Sequence, residues 1–146
     1  MNLTSNWQLT FDPAGTPLVL LAIGDEMAEE IRWPLKKGLD LVELVDSASP
    51  FLRPTGNNSF VIQLSIFQDS ADDATARRKI MESLIAVAAL GKKPLQIEAA
   101  GVTDRYWQAA AAVITEHQPS LLMDYPTARA TKVYSITATT LTQVGP

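Results

Sequence analysis

Phe60-Val61-Ile62-Gln63-Leu64-Ser65-Ile66-Phe67, followed closely by Ser70-Ala71-Asp72-Asp73-Ala74-Thr75-Ala76-Arg77-Arg78-Lys79-Ile80, decides the fold class. In the first stretch Phe60, Ile62, Leu64 and Ile66 make one continuous apolar face. Val61, Gln63, Ser65 and Phe67 make a mixed one, which is the period-two pattern of a strand. In the second stretch the period changes. Ile80, Leu84, Val87 and Ala88 follow i, i+4, i+7, i+8 spacing, with Met81 and Ile85 widening the stripe. Ser70 with Asp73 resembles a capping box, Asp72 and Asp73 suit the positive end of a helix dipole, and Gly91 is placed for a left-handed cap. The spacing predicts a helix over 71–90 that packs Ile80, Leu84 and Val87 on the sheet containing 60–67.

Strands are expected on both sides of this pair. Trp7 to Phe11 alternates, Asp12 to Pro17 is a turn, and Leu18 to Ile23 is a short apolar run, so the three read as a hairpin. For 27–33 Pro34 limits any helix, because Trp33 is pushed toward extended backbone, and an extended segment is preferred. Residues 39–45 alternate as a strand. The 46–58 segment, with Pro50, Pro54 and Gly56-Asn57, is expected to be a long loop. Its Phe51 and Leu52 are either buried beneath it or in contact with a partner. Leu95 to Ala99 alternates. The alanine-rich 104–117 segment has helix propensity, but Trp107, Ala109, Ala111, Val113 and Thr115 share one side of an extended chain, and strand is preferred. Pro119 to Pro126 reads as a loop, and the β-branched 132–143 segment as a strand. The order is α+β with antiparallel neighbours.

Composition narrows the chemistry. The 146 residues suit one domain, 1–146, with 47% apolar and 19% charged residues. No cysteine is present and His117 is the only histidine, so thiol chemistry, Cys-based zinc sites and His-rich metal sites are excluded within one chain. The net charge of −4 speaks against phosphate-backbone binding. Neither a nucleophile elbow nor a P-loop pattern occurs. No secretory signal pattern and no apolar run of membrane-spanning length is seen, so a soluble product that starts in the cytoplasm, without a membrane partner, is expected.

Four constellations have two readings each. His117 beside Glu116 is a catalytic base or, preferred, an exposed loop-edge histidine. Glu26, Glu29 and Glu30 are a metal patch or, preferred, a solvated face. Arg77, Arg78 and Lys79 bind an anion or a neighbouring subunit, or form an outer helix face with an Asp73–Arg77 pair. Tyr106 and Trp107 are a stacking platform or, preferred, core or interface packing. No catalytic residue, metal ligand or cofactor site is expected.

The order of elements from Phe51 to Gln143 carries a resemblance. Phe51-Leu52-Arg53-Pro54-Thr55-Gly56-Asn57 leads into the 60–67 strand and the long helix. Pro94-Leu95-Gln96-Ile97, the segment from Tyr106-Trp107 to Ile114 and the strand Tyr134-Ser135-Ile136-Thr137 follow. This resembles tailed-bacteriophage tail proteins of the tail-tube and distal-tail (tube-initiator) type, related to tube proteins of contractile injection systems. The resemblance implies an antiparallel β-sandwich or partly rolled β-barrel with one long flanking helix. It also implies a non-enzymatic virion protein in a homo-oligomeric ring, usually a hexamer, around a channel that passes DNA without specific binding. Its partners would be further copies and neighbouring tail or baseplate proteins, and its place the virion, after assembly in the host cytoplasm. Phe51, Leu52, Arg53, Tyr106 and Trp107 are the expected subunit-interface residues. A net −4 repeated six times would make an acidic lumen that repels phosphates. The alternative from another class is a monomeric binding or adaptor module using its sheet edge.

Overall fold

The computed structural model describes residues 3–42, 51–122 and 128–146, with side chains described over 3–37, 58–122 and 128–146. The elements are β1 (Leu3–Thr4), β2 (Trp7–Phe11), β3 (Leu18–Leu21), β4 (Glu26–Arg32), β5 (Leu35–Val42), β6 (Phe51–Ser70), α1 (Asp73–Ala89), β7 (Lys93–Ala99), β8 (Tyr106–Leu122) and β9 (Ala128–Val144). The strands form a single sheet in the order β1-β4-β6-β9-β8-β7-β2-β3, with β5 also on β6. Every pairing is antiparallel.

The sheet rolls because its two ends belong to one piece of chain. β1 pairs with β4 at one end and β2 with β7 at the other, yet only Ser5 and Asn6 separate β1 from β2. Ser5 fixes the bend. Its N–H donates to Asp25 O at 2.8 Å, its carbonyl accepts from Gly24 N at 2.8 Å, and its hydroxyl donates to Trp7 O at 2.7 Å. These bonds satisfy a buried polar residue. The inward set then becomes one core drawn from nearly every strand, including Leu9, Phe11, Leu21, Ile62, Leu95 and Ile136. The alternation expected of Phe60, Ile62, Leu64 and Ile66 is present, and all four are buried. This is the expected α+β architecture of antiparallel sheet with one flanking helix.

Four expectations are corrected. First, Phe51 to Asn58 is strand, not loop. It continues β6 and pairs with β5, with Val42 opposite Phe51, Leu41 opposite Leu52 and Asp40 opposite Arg53. Pro54 is tolerated because, among the described residues, this half of β6 has no second neighbour. Pro fits a strand edge where its missing N–H costs no ladder bond. The register slips between Lys37 and Leu39, absorbing Thr55-Gly56-Asn57. The rest of the expected loop, and 43–45 of the expected strand, lie outside the described residues.

Second, the helix ends differ. Asp72, not Ser70, is the N-cap, and it accepts from Thr75 N at 2.7 Å. Leu90 ends the helix in extended backbone, and Gly91 does not adopt the left-handed conformation. The buried stripe is Ala76 and Ile80, continued by half-buried Ser83 and Val87. Leu84, Met81 and Ile85 turn outward, because the helix lies on β8, β9 and β6 along its 76–80–83–87 line.

Third, 106–122 is a strand as preferred, but its inward face is not the regular one expected. Ala109 and Ala112 are both buried, while Val113 is exposed. The face switches opposite Thr140, whose φ of 58° breaks the β9 pleat. Fourth, Pro119 to Leu122 belong to β8 rather than a loop. That part of β8 pairs with β9 only, so Pro119 also sits on an edge. Residues 123–127 lie outside the described residues.

Candidate functional site

Two structural features combine into one candidate surface. The first is an arm. β4 and β5 run collinearly along β6, broken only at Trp33-Pro34, where Pro34 O accepts from Val61 N at 2.9 Å. Below this joint β6 is held by β4 and β9. Above it the β5–β6 ribbon, Leu35–Val42 with 51–58, pairs only with itself among the described residues.

The second feature is an open concavity of about 680 Å³ at the foot of that arm. It is lined by Trp7, Trp33, Leu35, Asn58, Phe60, Ile97, Trp107, Thr140 and Leu141. All three tryptophans of the chain meet here. Trp7 and Trp33 come from opposite ends of the strand order, and their rings lie 5.0 Å apart in a tilted pair because the sheet is rolled. Trp107 is turned by its indole Nε1, which donates to Gln143 Oε1 at 3.2 Å. Gln143 is held in turn by its Nε2–H to Pro146 O at 2.7 Å. Thr140 lines the wall in left-handed backbone, a strained state for a β-branched residue. Leu35 is 62% exposed and Leu141 50%, so the apolar rim stands open to solvent.

The expected interface residues divide between these features. Trp107 is in the pocket, with Tyr106 beside it at the start of β8. Phe51, Leu52 and Arg53 lie on the arm's upper strand, seven or more residues above Phe60, and are not brought to Trp107 within the chain. Trp7, Trp33 and Leu141 were missed from the sequence. The clustering of a small chain's only tryptophans is invisible until the sheet closes.

The remaining candidates are placed plainly. His117 is neither exposed nor in a loop. It is half-buried on β8, stacked on Tyr134 with ring centroids 4.4 Å apart. Its Nε2 lies 2.7 Å from Ser83 Oγ, and its Nδ1 3.4 Å from Val133 O. Burial lowers its pKa, and Lys132 adds to this. A serine and a histidine at this distance invite a nucleophile–base reading. Here, however, the histidine's other nitrogen faces a backbone carbonyl rather than a carboxylate. The pair joins α1 to the sheet.

Glu26 does not form a patch with Glu29 and Glu30. It accepts from buried Arg129, together with Asp69. Glu29 and Glu30 remain exposed on β4. Among the described residues no group of three or more metal-ligating side chains is assembled. Arg77–Asp73 and Arg78–Glu82 are exposed i,i+4 pairs at 3.9 and 3.8 Å, as an outer helix face requires. A second apolar patch lies there, with Met81 56% and Ile85 72% exposed. Among the described residues no helix is long and apolar enough to cross a membrane.

No protein-family model matches the sequence, and no curated protein sequence is similar to it. Solved structures are similar over the whole chain. One is a chain of the PVC sheath–tube complex, an extracellular contractile injection system in its extended state. It has a TM-score of 0.56 and 11% identity over 100% of this chain and 93% of that one. Another is the tube-terminating cap of the anti-feeding prophage, with a TM-score of 0.50 and 16% identity over 100% and 92% of the two chains. The fold is therefore shared with a chain of a contractile-injection-system sheath–tube complex and with the tube-terminating cap of the anti-feeding prophage, in line with the tail-protein resemblance.

Proposed function

We propose that this chain is a non-catalytic structural protein of a phage-type tail or contractile injection system, a tube, cap or distal-tail component that assembles with its own copies into a ring, with neighbouring tail or baseplate proteins above and below. It acts as a single tail-tube-like domain. The observation that carries this reading is the β5–β6 arm. A lone two-stranded ribbon is marginal in water, and among the described residues this one pairs with nothing else. It stands on a fold shared end to end with components of such assemblies. Phe51, Leu52 and Arg53 on the arm, and Tyr106 and Trp107 at the start of β8, are the proposed subunit contacts.

The channel lining in this reading is the sheet face left free by core and helix. By strand alternation, β6 presents Val61, Gln63 and Ser65 there, and β9 presents Val133, Ser135, Thr137 and Thr139. These positions carry no charge. Exposed Glu29 and Arg32 on β4 and Glu116 on β8 stand on the same face opposite Ser65, Gln63 and Ser135. In this reading the wall is therefore hydroxyl- and amide-rich with scattered charges of both signs, and DNA passes it without a basic stripe to hold its phosphates. The place of action is the tail, after assembly in the host cytoplasm.

Mass in solution and negative-stain imaging test the reading. Rings, hexameric in the proposed form, are expected at high protein concentration. A monodisperse monomer at every concentration would refute it and favour an adaptor that pairs through a sheet edge such as β3, whose Val19 is 51% exposed.

A further inference from the structure

Among the described residues the three-tryptophan pocket stands open and the arm pairs only within itself. We infer that these are two halves of one contact: the apolar arm of a second copy lies across the pocket formed by Trp7, Trp33 and Trp107. This rests on the ring reading and names the site where one subunit receives the next.

Geometry excludes the subunit's own arm. Leu35, Asn58 and Phe60 form both the arm's foot and the pocket wall. From that foot a paired ladder of eight residues per strand leads away, roughly 26 Å at about 3.3 Å per residue. A ladder hydrogen-bonded along its length cannot fold back onto its own base. A reach of this size is about two-thirds of the width of a compact domain of this length, roughly 38 Å from the expected radius of gyration, enough for the arm to reach an adjacent copy.

The chemistry of the two parts matches. The arm's sequence holds Leu39, Leu41, Val42, Phe51 and Leu52, a high apolar content for a two-stranded ribbon. The pocket is apolar and open along Leu35 and Leu141, a shape that takes a strand laid across it. Thr140, one of two non-glycine residues with positive φ among the described residues, stores backbone strain in this wall, as expected where structure is shaped for a partner. The contact is heterologous, arm to pocket, so each copy gives one and receives one, and a suitable rotation closes the ring.

The chain has no cysteine, so single cysteines can be placed cleanly. Phe51→Cys protein co-assembled with Leu141→Cys protein should oxidise to covalent dimers linked between the two variants. Phe51→Cys paired with Ile85→Cys, on the outer helix face, should not. All three tryptophans line the pocket, so emission of the unmodified protein should shift to shorter wavelength on assembly. With residues 39–54 replaced by Asn-Gly, it should stay at the monomer position. Rings that form without the 51–141 crosslink and without the emission shift would overturn this contact and leave the ring reading intact. A protein that never associates would overturn both.

Discussion

Arg129→Met is the sharpest test of what holds the rolled sheet at its β4–β6–β9 end. Arg129 is 7% exposed, and its guanidinium carbon lies 4.4 Å from the centre of the Phe67 ring. Nε donates to Asp69 Oδ1 at 2.7 Å, and the two terminal nitrogens donate to the Glu26 carboxylate, one of them at 3.2 Å. One cation thus ties three strands whose members are distant in sequence. Removing one partner of a fully buried ion pair costs about 3–5 kcal/mol, which is the ceiling here. Asp69 is 53% exposed and can rehydrate, so its share falls toward the roughly 0.2–1 kcal/mol of a surface pair. Glu26 is only 25% exposed and keeps most of its penalty. Methionine retains the packing on Phe67. The expected loss is about 2–3 kcal/mol, read by urea denaturation at pH 7 and fixed protein concentration. Because much of that loss comes from stranded carboxylates, adding Glu26→Gln and Asp69→Asn should recover part of it. A loss below about 0.5 kcal/mol, or a triple variant less stable than Arg129→Met alone, would refute the reasoning. The pair also sets an acid limit. Hydrogen bonding to Arg129 lowers the Asp69 pKa, so its stabilisation is present above the ordinary carboxylate pKa and is lost as pH falls through the depressed value. The Arg129→Met protein should lack that slope.

Ile80→Ala should cost about 2–4 kcal/mol, whereas Leu84→Ala, at a side chain 37% exposed, should cost less than about 1 kcal/mol; equal losses in chemical denaturation would show that the helix packs on its other face. His117 has a pKa lowered by burial, so its neutral form favours the fold. Stability should be full above the ordinary histidine pKa and fall as pH drops from there toward the depressed value, and His117→Phe, measured at both ends of that window, should remove the histidine's share of the change. Thr140→Gly should raise stability by roughly 0.5–2 kcal/mol, since relief of a strained left-handed β-branched residue outweighs glycine's entropy cost; a lower melting temperature would show the strain reading to be wrong.

Strands and helix were legible because each shows its own period. The 60–66 apolar face and the 73–89 helix follow from alternation and 3.6-residue spacing, both properties of contiguous residues. The absence of cysteine and the single histidine remove whole classes of chemistry on composition alone. What failed was local punctuation. Pro54 and Gly56-Asn57 read as a loop, because a strand edge that forgives proline exists only once β9 stops pairing at Ser59. Leu84 read as core because the stripe's width on a helical wheel does not say which line meets the sheet. The face switch between Ala109 and Ala112 depends on Thr140, thirty residues away in sequence and opposite in space.

The pocket, the arm and the Arg129 clamp were hidden for one reason. Each depends on how strands pair: the arm on β5 outrunning β9 along β6, the clamp on β4, β6 and β9 lying side by side, and the pocket on β1 and β2, one bent segment, holding the two ends of the sheet together. Local periodicity encodes which face of an element is apolar, since that is set by neighbours a few residues away. Which faces meet, and which apolar surface is left without a partner, is set by long-range pairing, and only the tertiary structure decides it.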